Sequence, residues 1–298
     1  MPVAVIALDF DPVVRVADRS VRLESIVIAA GVLVALLLAA RLAARAAADG
    51  GVTLRPDDLL YLALSAVPGA VVGGRVGYGL VHLDYYAAHP GALLDPGQGG
   101  LQLGLGIVGG ALTVAATARL LGEPVGRWLD LAALPALLAI AAGKVGAALG
   151  GTGQGIPADL PWATAYVGPG PWGSLGPAIA SHPSQLYEAA ATAALLGALA
   201  VPAVRARIAG DGSLILVALA GWSAVRIVVG VTFRESPAFG PLRTDQLIAI
   251  GILAASLGLL AVRRARREAP VGRREDSARG SIVGDPGTPA PGSTTTEG

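Results

Sequence analysis

Seven consecutive residues near the middle of the chain, His182-Pro183-Ser184-Gln185-Leu186-Tyr187-Glu188, place an imidazole, a hydroxyl, an amide, a phenol and a carboxylate side by side. Histidine is the usual general base near neutral pH. Pro183 suits the start of a helix, where its missing donor costs nothing. Gln185 and Glu188 then share one helix face at i, i+3. A simple capping arrangement accounts for the same polar residues, with Glu188 favourably placed near a positive helix terminus, and it is compatible with a functional role. His82 and His89, the other two histidines, read as solvated loop residues.

Three cations interrupt apolar runs: Arg75, Lys144 and Arg226. A charge inside a membrane span costs about 2.5–3.5 kcal/mol on insertion scales and marks a functional position by default. The acidic residues that could pair with them, Glu24, Glu188 and Asp245, lie near the ends of such runs and are expected to pair only partly, leaving a cationic cluster. One such cation alone is explained by snorkelling or by bonds to backbone carbonyls. Three on separate helices suggest a shared polar cavity suited to an anionic ligand such as a phospholipid phosphate. Lys144 is the only lysine among 22 basic residues, in a chain whose Ala, Gly and Arg content suggests a GC-rich bacterial genome.

The elements that must position these groups are membrane helices. Over 298 residues, apolar types make up 53% and charged types 14%, with a mean hydropathy of +0.63. A soluble domain carries about 25% charged residues, so this is an all-α membrane protein rather than a soluble globule. Net charge +1 without a basic cluster outside the C-terminus argues against a nucleic-acid partner. The absence of cysteine excludes disulfides, thiolate zinc sites and a cysteine nucleophile. No cofactor is implied.

A spanning helix needs about 20 mostly apolar residues. Seven stretches qualify, at roughly 24–42, 59–81, 101–121, 129–149, 185–204, 213–231 and 246–262, and their many glycines read as close helix packing. Lys and Arg flanking the spans set orientation. One side, including Arg55 and the tail residues Arg273, Arg274 and Arg279, carries 14; the other carries 5, and the loops 82–100 and 150–184 on that side carry none. An N-terminus outside and a cytoplasmic C-terminus follow. Residues 1–20 form an extracytoplasmic segment without the cationic region of a cleavable signal peptide, and the first helix is expected to act as the signal. Residues 21–265 form the transmembrane domain. Residues 266–298 read as a disordered cytoplasmic tail whose arginines attract anionic lipid. No internal repeat is visible.

The string from His182 to Glu188 resembles a signature of the prolipoprotein diacylglyceryl transferases, multi-pass enzymes of the bacterial inner membrane. Asp57-Asp58-Leu59, Gly73-Gly74-Arg75-Val76-Gly77-Tyr78, Gly99-Gly100, Pro161-Trp162, Arg226, Phe233-Arg234-Glu235 and Gln246 extend the similarity over about residues 20–265. The resemblance implies transfer of a diacylglyceryl group from phosphatidylglycerol to the cysteine of a prolipoprotein signal peptide, releasing glycerol phosphate. Its partners would be phosphatidylglycerol or another anionic phospholipid, the signal peptide and the membrane. His182 and Lys144 are the implied catalytic residues. Arg75, Tyr78, Arg226, Gln185, Tyr187 and Glu188 are the implied substrate-binding residues.

The chain also departs from the family pattern. A histidine before two glycines at the third span corresponds to Gly104. The Gly-Arg-x-Gly-Asn of the fourth span becomes Gly143-Lys144-Val145-Gly146-Ala147. An acidic position falls at Thr152, a tyrosine at Glu24, an arginine at Ser181, and an acidic residue of the sixth span at Gly230. Lysine keeps the cation but not the planar fork that holds phosphate through several fixed donors. Two expectations stand beside each other: a transferase, with reduced activity or altered substrate, or a catalytically degenerate relative that binds anionic lipid or signal peptides.

Overall fold

The structure, a computed structural model, describes residues 5–16, 18–48, 57–95, 99–208 and 212–268. Expectations about Arg55 and about the tail beyond 268 fall outside those residues. Two compact units divide the chain, Met1–Leu260 and Ala261–Gly298. The described part of the second is the end of a helix, where Arg264 pairs with Glu268 at 3.0 Å.

The fold is helical. In lipid every backbone N–H and C=O must be satisfied within the chain, so apolar runs become helices. These are α1 (Leu23–Ala48), α2 (Asp58–Val81), the short α3 (Leu83–Ala88), α4 (Leu103–Leu120), α5 (Val125–Gly150), α6 (Ser184–Ala200), the short α7 (Pro202–Ile208), α8 (Ser213–Gly230) and α9 (Thr244–Glu268). Six of them are long and apolar enough to cross a membrane, and α6 with α7 makes a seventh only if the pair counts as one span.

The fifth expected span, 185–204, is thus not one straight helix. It ends at Ala200, and α7 leaves at 80°. The cause is Pro202, which lacks the N–H a helix interior requires and clashes with the preceding turn. Val201 before it is extended, at φ −60°, ψ 121°.

The glycines do what close packing demands at particular points. A Cβ on Gly73 would lie 2.1 Å from the Leu105 carbonyl oxygen, and one on Gly109 would lie 2.1 Å from that of Gly69. Backbone therefore meets backbone where α2 runs along α4. In the same way α1 lies along α5, where a Cβ on Gly31 would strike Ala142. Leu134, Leu137 and Ile140 of α5 form the main core with Leu214, Leu216 and Trp222 of α8, and α5 also packs on α6.

Strands add what an all-helical expectation omitted. Within the expected N-terminal segment, β1 (Ile6–Leu8) pairs in parallel with β4 (Thr164–Tyr166) of the 151–183 loop. β2 (Val13–Val16) and β3 (Arg19–Arg22) form a hairpin leading into α1. Phe10 packs edge-on against Trp172, with ring centroids 5.0 Å apart. The loop after α8 closes with β5 (Pro237–Phe239) against β6 (Leu242–Arg243). These connections gather at one end of the bundle, where α1, α6 and α9 begin and α2, α5 and α8 end.

Candidate functional site

Helix α6 opens at Ser184, whose hydroxyl bonds the Thr232 hydroxyl at 2.7 Å and so ties its start to the end of α8. Counting inward at helical spacing places Gln185, Glu188 and Thr192 on the buried face of α6. The Glu188 side chain is wholly buried. One of its oxygens, Oε2, receives Lys144 Nζ from α5 at 2.9 Å and Arg226 Nη1 from α8 at 2.8 Å. The second guanidinium nitrogen of Arg226 donates to Asp245 at the start of α9 and lies 3.6 Å from Glu235. Phe233 sits beside both cations, with its ring centroid 4.4 Å from Arg226 Cζ and 5.5 Å from Lys144 Nζ.

The network reaches α4 and α2 through Gln102. Its Nε2 donates to Asp245 at 3.1 Å, its Oε1 caps α4 by accepting from Leu105 N at 2.7 Å, and its backbone N–H donates to Gly74 O at 2.9 Å. Six helices, α2, α4, α5, α6, α8 and α9, and the loop after α8 therefore meet at one largely buried ionic centre. It holds three carboxylates against two cations. The expected cationic cluster with partial pairing is corrected: Lys144 and Arg226 are ion-paired, and acidic groups outnumber them.

Arg75 is directed elsewhere. Its guanidinium donates to the carbonyls of Ala92, Leu93 and Asp95 at 2.8–3.1 Å, binding the 90–95 segment to α2. Bonds to backbone carbonyls, the structural alternative for a lone membrane arginine, are among those it makes. Tyr78 stacks on His82 at 4.1 Å and packs against Gly99, whose φ of +76° is open to glycine at little cost.

His182, just before α6, and Tyr187, in its first turn, are partly exposed, whereas Glu188 is buried. The His182 Nδ1 is 3.3 Å from the Tyr187 hydroxyl, which also accepts from Trp162 Nε1 at 2.7 Å. Gln185 Nε2 donates to the Tyr166 hydroxyl at 2.8 Å, and that hydroxyl donates to Ala148 O at 2.8 Å. Burial in the loop pushes the Tyr166 phenol up to about 12, so it remains a neutral donor at physiological pH.

The positions that depart from the family pattern are filled by other groups. Gly104 is buried, and a Cβ there would lie 3.1 Å from both Gln102 Nε2 and Ile248 Cγ2, so α9 occupies the space a larger residue would take. At Gly230 a Cβ would lie 2.6 Å from Gln246, which bonds Ile227 O and Arg243 N instead. Thr152 donates to Glu24 at 2.9 Å, and Ser181 donates to Ile179 O at 3.0 Å.

Sequence reasoning named Asp245 as a pairing candidate and quoted Glu235 only as part of a string. It missed Gln102, Tyr166 and the buried hydroxyls of Thr192 and Ser223 altogether. Among the described residues those two hydroxyls, Glu188 Oε1 and Trp222 Nε1 meet no hydrogen-bond partner, and all four are buried. Polar residues spaced along α6 from Glu188 were the available signal for Thr192. Among the described residues, no group of three or more His, Asp or Glu side chains is arranged to hold a metal ion.

Comparison with known proteins matches residues 12–262 to the prolipoprotein diacylglyceryl transferase family. Curated phosphatidylglycerol–prolipoprotein diacylglyceryl transferases align along most of their length. The one from Methylocella silvestris is 31% identical over 283 residues, covering 91% of this chain and all of the relative. That from Solidesulfovibrio magneticus is 32% identical, covering 85% of this chain and 95% of the relative. That from Geobacter sulfurreducens is 31% identical, covering 74% and 84%.

Proposed function

The chain belongs to the prolipoprotein diacylglyceryl transferase family, and on that premise we propose that this multi-pass bacterial membrane protein transfers a diacylglyceryl group from phosphatidylglycerol to the cysteine thiol of a prolipoprotein signal peptide. The single observation that carries the reading is the full-length similarity to transferases of that name.

The site supplies chemistry that suits the reaction. Phosphate leaves as the thioether forms, and a cation in a dry site lowers the cost of the charge that develops on it. Lys144 is the suitable cation. Its ammonium has three donors, of which Glu188 takes one, and its side chain is 16% exposed. Arg226 stands behind it, holding Glu188, Asp245 and Phe233 in place. Gln185 lies on the same buried face of α6 as Glu188. Arg75 and Tyr78 hold the neighbouring residues 92–95 and Gly99–Gly100. His182, with Tyr187 and Trp162, forms a rim on which the signal peptide can be received. An apolar groove of about 470 Å³ between α2 and α4, lined by Val72, Val76, Val108 and Leu112 among others, suits an acyl chain.

Orientation belongs to the same proposal. The helix ends opposite the site carry Arg41, Arg45, Arg119, Arg127, Arg205 and Arg207. By the positive-inside rule that end is cytoplasmic, and the site faces the outer leaflet.

The test is transfer by purified protein from phosphatidylglycerol to a signal-peptide substrate, read as a mass shift on the cysteine. The expected result is a diacylglyceryl adduct that is lost in Lys144→Ala. No adduct, with the M. silvestris relative active in the same assay, overturns the reading in favour of a protein that binds anionic lipid or signal peptides without catalysis.

A further inference from the structure

Resting on the transferase reading, we infer that Glu235 is the base that takes the proton from the acceptor thiol. The thiolate, not the thiol, is the nucleophile, so a proton acceptor must stand beside the incoming sulfur. Glu235 follows α8 in the loop leading to β5, and it is the third carboxylate of a centre with two cations. The other two are engaged at hydrogen-bond distance. Glu188 receives both Lys144 and Arg226 and is wholly buried. Asp245 receives Arg226 and Gln102, with its side chain 14% exposed. Glu235 approaches Arg226 only to 3.6 Å, beyond hydrogen-bond range, and its side chain is 37% exposed. Of the three it is the most open to an incoming peptide, and it lies 3.6 Å from Arg226, which shares Glu188 with the proposed phosphate cation.

Its surroundings tune it for the task. Partial burial and the neighbouring Asp245 charge raise the Glu235 carboxyl above the usual carboxylate range, opposed by Arg226, Lys144 and Arg243. Arg243 holds the residue by donating from Nε to the Glu235 carbonyl at 2.9 Å. A raised carboxylate is a stronger base, and catalysis favours a base whose pKa approaches the working pH. In the step, the acceptor's S–H bond breaks and the proton passes to Glu235. Sulfur forms a bond to the terminal glyceryl carbon as that carbon's bond to the phosphate oxygen breaks. The electron pair leaves on glycerol phosphate, which then takes the proton from Glu235.

The test compares wild type, Glu235→Gln and Glu235→Asp as full chains, with a cysteine peptide and with its selenocysteine counterpart, whose selenol is already ionised at neutral pH. Glu235→Gln is expected to lower transfer to cysteine by about 10²–10⁴-fold, to abolish the acid limb of the pH–rate profile, and to recover to within about tenfold of wild type on selenocysteine. Glu235→Asp keeps the acid limb at a reduced rate. Equal loss on both peptides would show a structural defect and overturn the assignment, as would a wild-type rate in Glu235→Gln. An acid limb that vanishes in His182→Gln but persists in Glu235→Gln would also overturn it, giving the role to His182. A wild-type chain that transfers nothing to either peptide overturns the transferase reading, and this inference with it.

Discussion

Lys144 and Glu188 meet at 2.9 Å across the α5–α6 contact, and the same Glu188 oxygen receives Arg226 at 2.8 Å. One buried carboxylate oxygen therefore bridges cations from two helices. Removing one partner from a buried pair leaves an uncompensated charge, which costs about 3–5 kcal/mol. Glu188→Ala is expected to lose stability on that scale in detergent-solubilised protein, read from thermal unfolding. Combining it with Lys144→Ala should restore part of the loss, because the double variant buries one fewer unpaired charge. A purely additive double variant would show that the two residues do not interact.

The start of α8 depends on a residue 82 positions earlier. Asp130 Oδ2 accepts from Gly212 N at 3.0 Å, and Oδ1 accepts from Leu214 N and Ile215 N at 2.8 and 3.1 Å. A capping side chain is worth about 0.5–2 kcal/mol, and three buried donors put Asp130 at the upper end. Asp130→Ala is expected to lower the unfolding temperature, with Asp130→Asn losing less because one acceptor oxygen remains. An unchanged melt in Asp130→Ala would refute the cap.

Glycines in this chain are not equivalent. At Gly109 a Cβ would meet the Gly69 carbonyl oxygen at 2.1 Å, whereas at Gly197 nothing lies within 4 Å. Gly109→Ala must push α2 and α4 apart, at a cost of about 1–3 kcal/mol or more. Gly197→Ala removes backbone freedom from a helix interior and should gain about 0.5–1 kcal/mol. Thermal unfolding of the two variants in parallel checks the opposite signs.

Tyr166 sets a limit at high pH. Its folded-state value is raised from 10.0 to about 12. The stability it contributes is therefore complete below pH 10 and lost as the pH rises through about 12. Tyr166→Phe should flatten that alkaline loss. At neutral pH it should cost about 1–3 kcal/mol, because Gln185 Nε2 and Ala148 O lose their partner. Unfolding midpoints between pH 8 and 12 test both effects, and parallel curves for the two proteins would reject the assignment.

The helices were legible in the sequence, because an apolar run in lipid has to satisfy its own backbone whatever its neighbours do. The 59–81 and 213–231 runs became α2 and α8 with ends shifted by a residue or less. Even the broken fifth span had its signal in Pro202. The family was legible too, since the His182–Glu188 string is short, local and rich in chemistry.

Side-chain partners were a different matter. Arg75, Lys144 and Arg226 are alike as sequence features, yet the first binds the carbonyls of a neighbouring loop and the others share Glu188. Which partner a membrane cation finds depends on how its helix is rotated about its axis and on which loop returns to cover its end. Spacing from the cation encodes neither: the carbonyls that Arg75 meets lie 17–20 positions away, whereas the Glu188 that Arg226 meets lies 38 positions away. β1 pairing with β4, more than 150 positions away, and Glu235 reaching Arg226 through a turn after α8 are decided in the same way. The sequence by itself determined the number and placement of the apolar elements and the family. Only tertiary packing decided which charges meet, because ion pairing acts over a few ångströms and those distances arise when separate helices and loops come together.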